Sequence, residues 1–339
     1  MARICAAICT SHSPFLFAPP HEWDPARAVR ARHGGIAAAV PVDSPRENES
    51  KHARCVRALG ILRERLAASQ PDVVVIFGDD QLEQFDFSNC PALGIFVGAQ
   101  FSGYRIAEKF GLPVPGESRQ ARPRTPEHWT TVKAHPPFAR SLTTGLVEQG
   151  FDVSFSLELP KPEAGIGHAF MRPLYHLVPE GELPIVPFFV NCYYGPQPTA
   201  RRCVQLGNAV REVIAAMPGG ERVAIIGSGG LWHMPMFPNA GLDEEFDRRV
   251  LEGVRAGDAA AIASYFDEHA PPVPAPDTSE MRLASGGTGM ALGLGGGTGE
   301  TRNWIITAAT VDGIAGTVVD YVPIHASPVG AAFAYWSLP

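Results

Sequence analysis

Several histidine and acidic residues in this sequence directly follow short apolar segments or glycine-rich turns. They are His12, the pair Asp79 and Asp80, His168 and His233. Imidazole and carboxylate groups together can hold a divalent metal ion, and a histidine that is not a ligand can transfer protons. In an α/β sheet, ligands bind beyond the carboxyl ends of the strands. These positions therefore predict an active site at strand ends.

Glu245 is a further candidate, since it follows His233 by twelve residues in a predicted helix that begins near Asp243. Ordinary structural interpretations exist for all of these residues. Asp79 can cap a turn, and Glu245 can offset the helix dipole within a run of three acidic residues. The combination of the residues, rather than any one of them, favours a site.

The elements that must position these residues are indicated by the hydrophobic pattern. Short β-rich apolar segments predict strands at 4–9, 73–77, 92–97, 153–157, 185–190, 223–226 and 317–323. Helical spacing predicts helices at 51–69, 136–150, 200–217, 243–256 and 258–269. The alternation predicts an α/β fold with a central mixed sheet, helices on both sides, and an active site in the strand-end loops.

Length and composition favour one domain. The 339 residues are 45% hydrophobic and 19% charged, which permits a large core. We predict a single catalytic domain over 1–339, with an inserted excursion at 19–50 and a Pro/Gly-rich loop at 270–300.

Charge, apolar run lengths and cysteine usage exclude several classes of protein. The net charge of −7 argues against nucleic-acid binding, and no run reaches the roughly 18 apolar residues of a transmembrane helix. The six cysteines form no C-x-x-C pair, and the first apolar run is too short for a signal peptide. We therefore expect a cytoplasmic protein that does not bind membranes, and a homo-oligomer on general grounds.

The order and spacing of these motifs resemble the class III extradiol ring-cleavage dioxygenases, the family typified by the β subunit of protocatechuate 4,5-dioxygenase. The excursion and the Gly-rich stretch are most similar to a 3-O-methylgallate dioxygenase-like branch. The matching stretches are 10–14, 72–81, 167–168, 187–191, 227–233, 240–247 and 321–327 with Gly330.

The resemblance implies a non-haem Fe(II) site built from two histidines and a glutamate, with open positions for a catecholic substrate and dioxygen. On this basis His12 and Glu245 are metal ligands. His233 is the catalytic acid–base residue and His168 a second active-site histidine. Ser327 falls on a residue near the substrate carboxylate.

The second histidine ligand of the family is missing. In an ungapped alignment its position is Gln81, whose amide oxygen is a neutral and harder ligand than imidazole. The other interpretations are that Asp80 or Glu83 serves the metal, that a distant histidine such as His33 or His52 does, or that the metal is lost.

The substrate end of the site also departs from the family. Pro328 stands where carboxylate-binding members can offer an amide, which argues against a benzoate-type substrate. Arg302 could supply a cation to the substrate instead. Its alternative interpretation is a solvated arginine at the start of a helix.

The resemblance predicts an extradiol dioxygenase that uses Fe(II) and O2 to open the ring of a small dihydroxylated aromatic, of lignin type or related to it. Two alternatives stay open: a metal-dependent non-oxygenase or atypical oxygenase on the same fold, and a non-catalytic partner subunit. Retention of His12, His168, His233 and Glu245 argues against the partner subunit.

Overall fold

The computed structural model describes residues 1–32, 34–104, 129–179, 183–234, 237–285 and 296–338. The strands are β1 (Arg3–Thr10), β2 (Val73–Gly78), β3 (Leu93–Phe96), β4 (Gln100–Tyr104), β5 (Trp129–Lys133), β6 (Ser154–Ser156), β7 (Ile185–Val190), β8 (Arg222–Ser228), β9 (Thr317–Ile324) and β10 (Val329–Trp336). The α-helices are α1 (Trp23–Arg32), α2 (Pro45–Ser69), α3 (Pro136–Glu148), α4 (His168–Leu177), α5 (Ala200–Ala216), α6 (Glu244–Ala256), α7 (Ala259–His269), α8 (Thr278–Ser285) and α9 (Thr301–Thr310).

Eight strands form one mixed sheet in the order β6-β3-β7-β2-β8-β1-β10-β9. The four central strands β7, β2, β8 and β1 are mutually parallel. Strand β3 runs antiparallel to β7, and β10 runs antiparallel to both β1 and β9. Strands β4 and β5 form a separate pair. The predicted α/β fold with a central mixed sheet is confirmed.

The central strands are buried on both faces, as their sequences require. Every residue of β2 is buried, and its β-branched side chains alternate between two cores. Val75 packs into the core formed with α3, α5, α6, α7 and α9, whereas Val74 packs into the core formed with α1, α2 and α4. Helices therefore cover both sides of the sheet, as predicted.

The parallel register brings the ends of three central strands to one edge of the sheet. Thr10 of β1 pairs with Ser228 of β8, and Phe77 of β2 pairs with Gly227. The residues that leave β1, β2 and β8 must therefore enter the same region of space.

Both irregular segments contain structure that the sequence pattern did not predict. The excursion at 19–50 includes α1 and the first residues of α2. Helix α2 begins at Pro45 because the Ser44 hydroxyl accepts from the Glu47 N–H and the Glu47 carboxylate accepts from the Ser44 N–H. The segment at 270–300 includes α8 and a 3-10 turn at Gly297–Glu300, and residues 286–295 of it lie outside the described residues.

Several other elements differ from the pattern-based boundaries. Strands β4, β5 and β10 and helix α4 were not predicted, so His168 opens a helix rather than lying in a turn. Within the described ranges, no helix combines the length and apolarity needed to cross a membrane. One domain over 1–339 stays a prediction.

Candidate metal centre and active site

Three buried side chains converge at the carboxyl edge of the central strands. His12 follows β1, Asp79 follows β2, and Glu300 ends the 3-10 turn before α9. Their potential ligand atoms all lie within 4.8 Å of one another, and all three residues are buried. An imidazole and two carboxylates at this separation can share one divalent cation.

The hydrogen bonds of His12 leave its Nε2 atom as the candidate ligand atom. Its Nδ1 atom lies 2.9 Å from the Ser228 hydroxyl, and that hydroxyl donates to the Ala169 carbonyl oxygen at 2.5 Å. Because a hydroxyl has one proton to donate, Ser228 accepts from the His12 Nδ1–H. Nε2 then carries the lone pair, and it lies 3.9 Å from Asp79 Oδ1 and 3.4 Å from Glu300 Oε2. A fixed tautomer of this kind is typical of metal-binding histidines.

The two carboxylates are too buried to be stable without a positive partner. Neither oxygen of Asp79 accepts a hydrogen bond from the described residues, and Glu300 Oε2 accepts one from the Gly230 N–H at 2.7 Å. Burial and the nearby Glu300 charge raise the pKa of Asp79. Without a metal, burial by itself would raise the pKa of Glu300, but the positive charge of His12 and His233 in their protonated forms holds it well below its usual range.

This arrangement fits a divalent transition metal. A cation would compensate both buried carboxylates and meet the lone pair of His12, whereas an uncompensated pair of this kind is costly. Imidazole suits iron and zinc, and carboxylates suit harder ions such as manganese. The donor set has one histidine and two carboxylates, in place of the two histidines and one glutamate that the resemblance implies.

His233 lies beside this cluster with one nitrogen anchored and the other facing Glu300. Its Nδ1–H donates to the Leu231 carbonyl oxygen at 2.9 Å, and its Nε2 lies 3.4 Å from Glu300 Oε1. Burial alone would lower the pKa of His233, but the Glu300 carboxylate outweighs burial and raises it. The close approach requires Gly297, because a side chain there would collide with the His233 ring.

His168 contacts His12 from the start of helix α4, which packs on the opposite face of the sheet from α9. Its ring packs edge-on against His12 with centroids 4.8 Å apart, and its Nδ1–H donates to Glu83 Oε2 at 2.7 Å. Burial lowers the pKa of His168 to about 4, although the Glu83 charge opposes this. His168 is therefore neutral at neutral pH, and its Nε2 can accept a hydrogen bond.

The turn after β2 shows which residues serve the cluster and which hold the loop. Asp80 accepts hydrogen bonds from the backbone N–H groups of Gln84 and Phe85, at 2.9 and 3.0 Å. Asp80 therefore stabilises the loop that follows β2. Leu82 adopts a left-handed conformation with φ of 61°, which is uncommon for such a residue and frequent at functional sites.

Gln81 reaches the cluster without being grouped with its ligands. Its Nε2 atom donates to Glu300 Oε1 at 3.3 Å, and the residue is buried. Glu83, the other alternative on this turn, is paired with His168. The ring of His52 packs against Trp23 with centroids 6.1 Å apart. His33 lies outside the described residues.

Glu245 is not brought to the cluster, which corrects its assignment as a metal ligand. Its carboxylate is 56% exposed on the first turn of α6, where it pairs with Arg248 and with Arg249 at 3.0 Å. These arginines lower its pKa. Asp243 caps this helix, so the acidic run satisfies the helix start. Glu300 is the glutamate beside His12.

The two expected substrate-binding residues lie in different places. The Ser327 hydroxyl accepts from the guanidinium of Arg30, which comes from α1 in the excursion. Arg302 donates instead to the carbonyl oxygens of Pro198 and Gly299, at 2.6 and 3.3 Å, and lies over the Phe266 ring. None of these contacts of Arg302 involves a residue of the cluster.

Glu300 and Asp79 were not identified from the sequence as candidate metal ligands. The sequence signal for Glu300 is weak, since it only stands between a glycine-rich stretch and a helical segment. The structure adds that every residue of this helix, α9, is buried. A glutamate that enters such a helix cannot reach solvent and needs a charged partner inside the protein.

The fold and the cluster define an α/β protein with a candidate metal centre at the ends of its parallel strands. Residues 31–319 match the family described as the catalytic LigB subunit of aromatic ring-opening dioxygenase. The chain belongs to this family of class III extradiol dioxygenases.

Two curated relatives share the description 2,3-dihydroxyphenylpropionate/2,3-dihydroxicinnamic acid 1,2-dioxygenase. The one from Photorhabdus laumondii subsp. laumondii is 30% identical over 251 residues, which is 74% of this chain and 62% of the relative. The one from Mycobacterium sp. (strain MCS) is 28% identical over 239 residues, 70% of this chain and 59% of the relative. The chain spans about three fifths of the length of these relatives.

A solved structure of an uncharacterized protein from Escherichia coli K12 is also similar. It has a TM-score of 0.46 and 11% sequence identity, and the similarity covers 81% of this chain and 91% of that chain.

Proposed function

We propose that this chain is a ring-opening extradiol dioxygenase that holds Fe(II) with His12, Asp79 and Glu300 and acts on a small dihydroxylated aromatic and O2. The observation that carries the proposal is the buried cluster at the strand ends, with a histidine on either side of it. Membership of the ring-opening family supports the same chemistry. Bound iron would polarise the two adjacent substrate oxygens and supply electrons to dioxygen.

The two flanking histidines have the opposite tendencies that acid–base chemistry requires. His168 is held neutral, so its Nε2 can accept a hydrogen bond from a substrate hydroxyl and orient it. His233 is favoured in its protonated form by Glu300, so its Nε2–H can stabilise negative charge and return a proton. Groups whose pKa values are pushed apart in this way divide the acid and base roles.

The proposed substrate is a catechol with a polar side chain. Both curated relatives are named for 2,3-dihydroxyphenylpropionate, which bears a carboxylate on a short chain. Ser327 and Arg30 are the candidate groups for such a substituent, because a guanidinium beside a hydroxyl matches a carboxylate.

The free cysteines support the expectation of a reducing compartment.

One observation favours a second candidate, a metal-dependent enzyme that does not activate O2. The set of one histidine and two carboxylates is harder than a two-histidine set and suits ions such as Mn(II) or Mg(II). The cluster itself argues against a non-catalytic partner subunit.

The test is anaerobic loading with Fe(II), followed by measurement of O2 uptake on catechol, 2,3-dihydroxyphenylpropionate and 3-O-methylgallate. Uptake in proportion to bound iron, together with the absorbance of a ring-opened product, is expected. Stoichiometric metal without uptake on any of these substrates would favour the second candidate. Absence of any divalent metal binding would exclude both.

A further inference from the structure

A separate cavity adjoins the turn that carries Glu300. It is partly open to solvent and has a volume of about 230 Å³, and its lining includes Thr298 and Gly299 of this turn together with Phe266, Val273 and Arg302. No residue of the metal cluster and neither flanking histidine belongs to the described lining. An apolar cavity of ~150 Å³ is large enough to hold benzene. This cavity can therefore hold an aromatic ring with a small substituent.

The charged group in this cavity is the guanidinium of Arg302. The residue is only 8% exposed, and its Nε and Nη1 atoms donate to two backbone carbonyl oxygens. Its central carbon lies 4.8 Å from the centre of the Phe266 ring. Among the described residues, no carboxylate forms an ion pair with it and Nη2 donates no hydrogen bond. A buried guanidinium with neutral partners favours an anion that can take its remaining N–H groups.

Asp267 is a carboxylate in the described lining of the same cavity, but it interacts with the backbone of helix α5 rather than with Arg302. Asp267 accepts hydrogen bonds from the backbone N–H groups of Ala200 and Arg201, at 3.0 and 3.3 Å. These groups open helix α5, whose N-terminus favours a negative charge. Asp267 therefore stabilises the start of α5 and leaves Arg302 available for a ligand.

We propose that this cavity is a binding site for a small aromatic carboxylate, distinct from the metal centre. The carboxylate accepts from Arg302, and the ring packs among Phe266, Val273 and Pro271. The ligand would touch Thr298, whose hydroxyl accepts from the His233 N–H at 3.0 Å, and Gly299, which directly precedes Glu300. Binding at this site does not depend on the reaction and can be measured without iron or turnover.

Benzoate is the probe, titrated by calorimetry into the metal-free protein. We expect saturable binding at millimolar or lower concentration. In Arg302→Met the affinity should fall by at least about tenfold, equivalent to ~1.4 kcal/mol. Arg302→Lys should retain part of it, since the charge stays but the planar fork is lost. The matched control is Arg202→Met, which removes an arginine that also lies over an aromatic ring, that of Phe151, but does not line this cavity, and it should bind benzoate as the wild type does. Arg30→Met tests the alternative that benzoate binds at the proposed substrate site instead.

A second variant guards against misfolding of Arg302→Met. Val273 is partly exposed at the edge of the cavity, so Val273→Trp fills the space while Arg302 stays intact. It should also lose benzoate, with a thermal unfolding midpoint close to that of the wild type. Undiminished binding in either folded variant, no binding by the wild type, or loss in Arg30→Met alone would overturn the proposal.

Discussion

Glu245 and Glu300 are both glutamates next to the start of a helix, yet they lie in opposite environments. Glu245 is exposed on α6 and is neutralised by two arginines of its own helix. Glu300 is fully buried before α9, and its charged neighbours are histidines from other elements. A carboxylate that is already paired at the surface gains little from a metal, whereas a buried one gains a compensating charge.

A glutamate is a good candidate metal ligand when side chains from several elements meet around it inside the protein. Its position in an acidic run of the sequence does not make it one. The run at 243–245 is explained by the needs of the helix start, where negative charge opposes the dipole. No such local reason explains Glu300, because its contacts are made with residues distant in sequence.

The largest expected effect separates these two glutamates. Glu300→Gln should abolish stoichiometric Fe(II) binding, because one of the two buried carboxylates is lost, and Glu245→Gln should bind iron as the wild type does. Anaerobic Fe(II) titration followed by metal analysis measures both. If Glu245→Gln loses iron and Glu300→Gln keeps it, the assignment of the centre is wrong.

His233 should separate metal binding from turnover. His233→Ala removes a group that touches Glu300 but is not among the proposed ligands, so iron should be retained while kcat falls by ~10²–10⁴-fold. Steady-state O2 uptake and iron content, measured on the same sample, provide the check. An unchanged kcat would leave His233 with a structural role only.

Gln81 should have a smaller effect on the metal. Its amide donates to Glu300, and residues that orient a ligand commonly change metal affinity by ~10–100-fold. Gln81→Ala should weaken Fe(II) binding within that range while the stoichiometry stays unchanged. Equal affinities in the two proteins would show that Gln81 only secures the loop after β2.

The fold class was predictable because its main signals are local. Short apolar segments rich in β-branched residues, such as β2, are typical of central strands, and the predicted helices have regular apolar spacing. Strand β10 was not predicted because its alanines and glycine have low β-propensity, and its place is set by pairing with β1 and β9. Helix α4 contains Pro173, which conceals the helical pattern.

The candidate site was predictable only where a residue directly leaves a strand. His12 and the turn after β2 were found in this way. Within that turn, the sequence could not distinguish Asp79 from Asp80, because both are acidic and adjacent. Their roles are separated by hydrogen bonds, since Asp80 is held by backbone N–H groups and Asp79 is not. Glu300 could be recognised as part of the site only from the structure, because the packing of α9 against the sheet brings it to the cluster.

The last expected effect concerns stability rather than metal binding or turnover, and it contrasts the two faces of α6. Asp247 lies two residues after Glu245 but is buried, and it accepts hydrogen bonds from the Trp232 N–H at 2.7 Å and the Tyr321 hydroxyl at 2.8 Å. Burial raises the pKa of Asp247 to about 7. Because this pKa is raised in the folded state, folding favours the protonated form of Asp247. The contribution of that form to the free energy of unfolding is fully present below the unfolded-state pKa of ~4 and is lost as pH rises through 7.

Asp247→Asn should remove that pH dependence. Asparagine has the same shape, can accept from Trp232, and can donate to the Tyr321 oxygen, so the loop that carries His233 stays in place. As the pH rises from 4 to 8, the unfolding free energy of the wild type should fall relative to that of the variant by on the order of a few kcal/mol. Denaturant unfolding at several pH values measures the shift. Because the buried Asp79 and Asp80 are present in both proteins, the difference isolates Asp247, and a difference that is constant over this range would contradict the raised pKa.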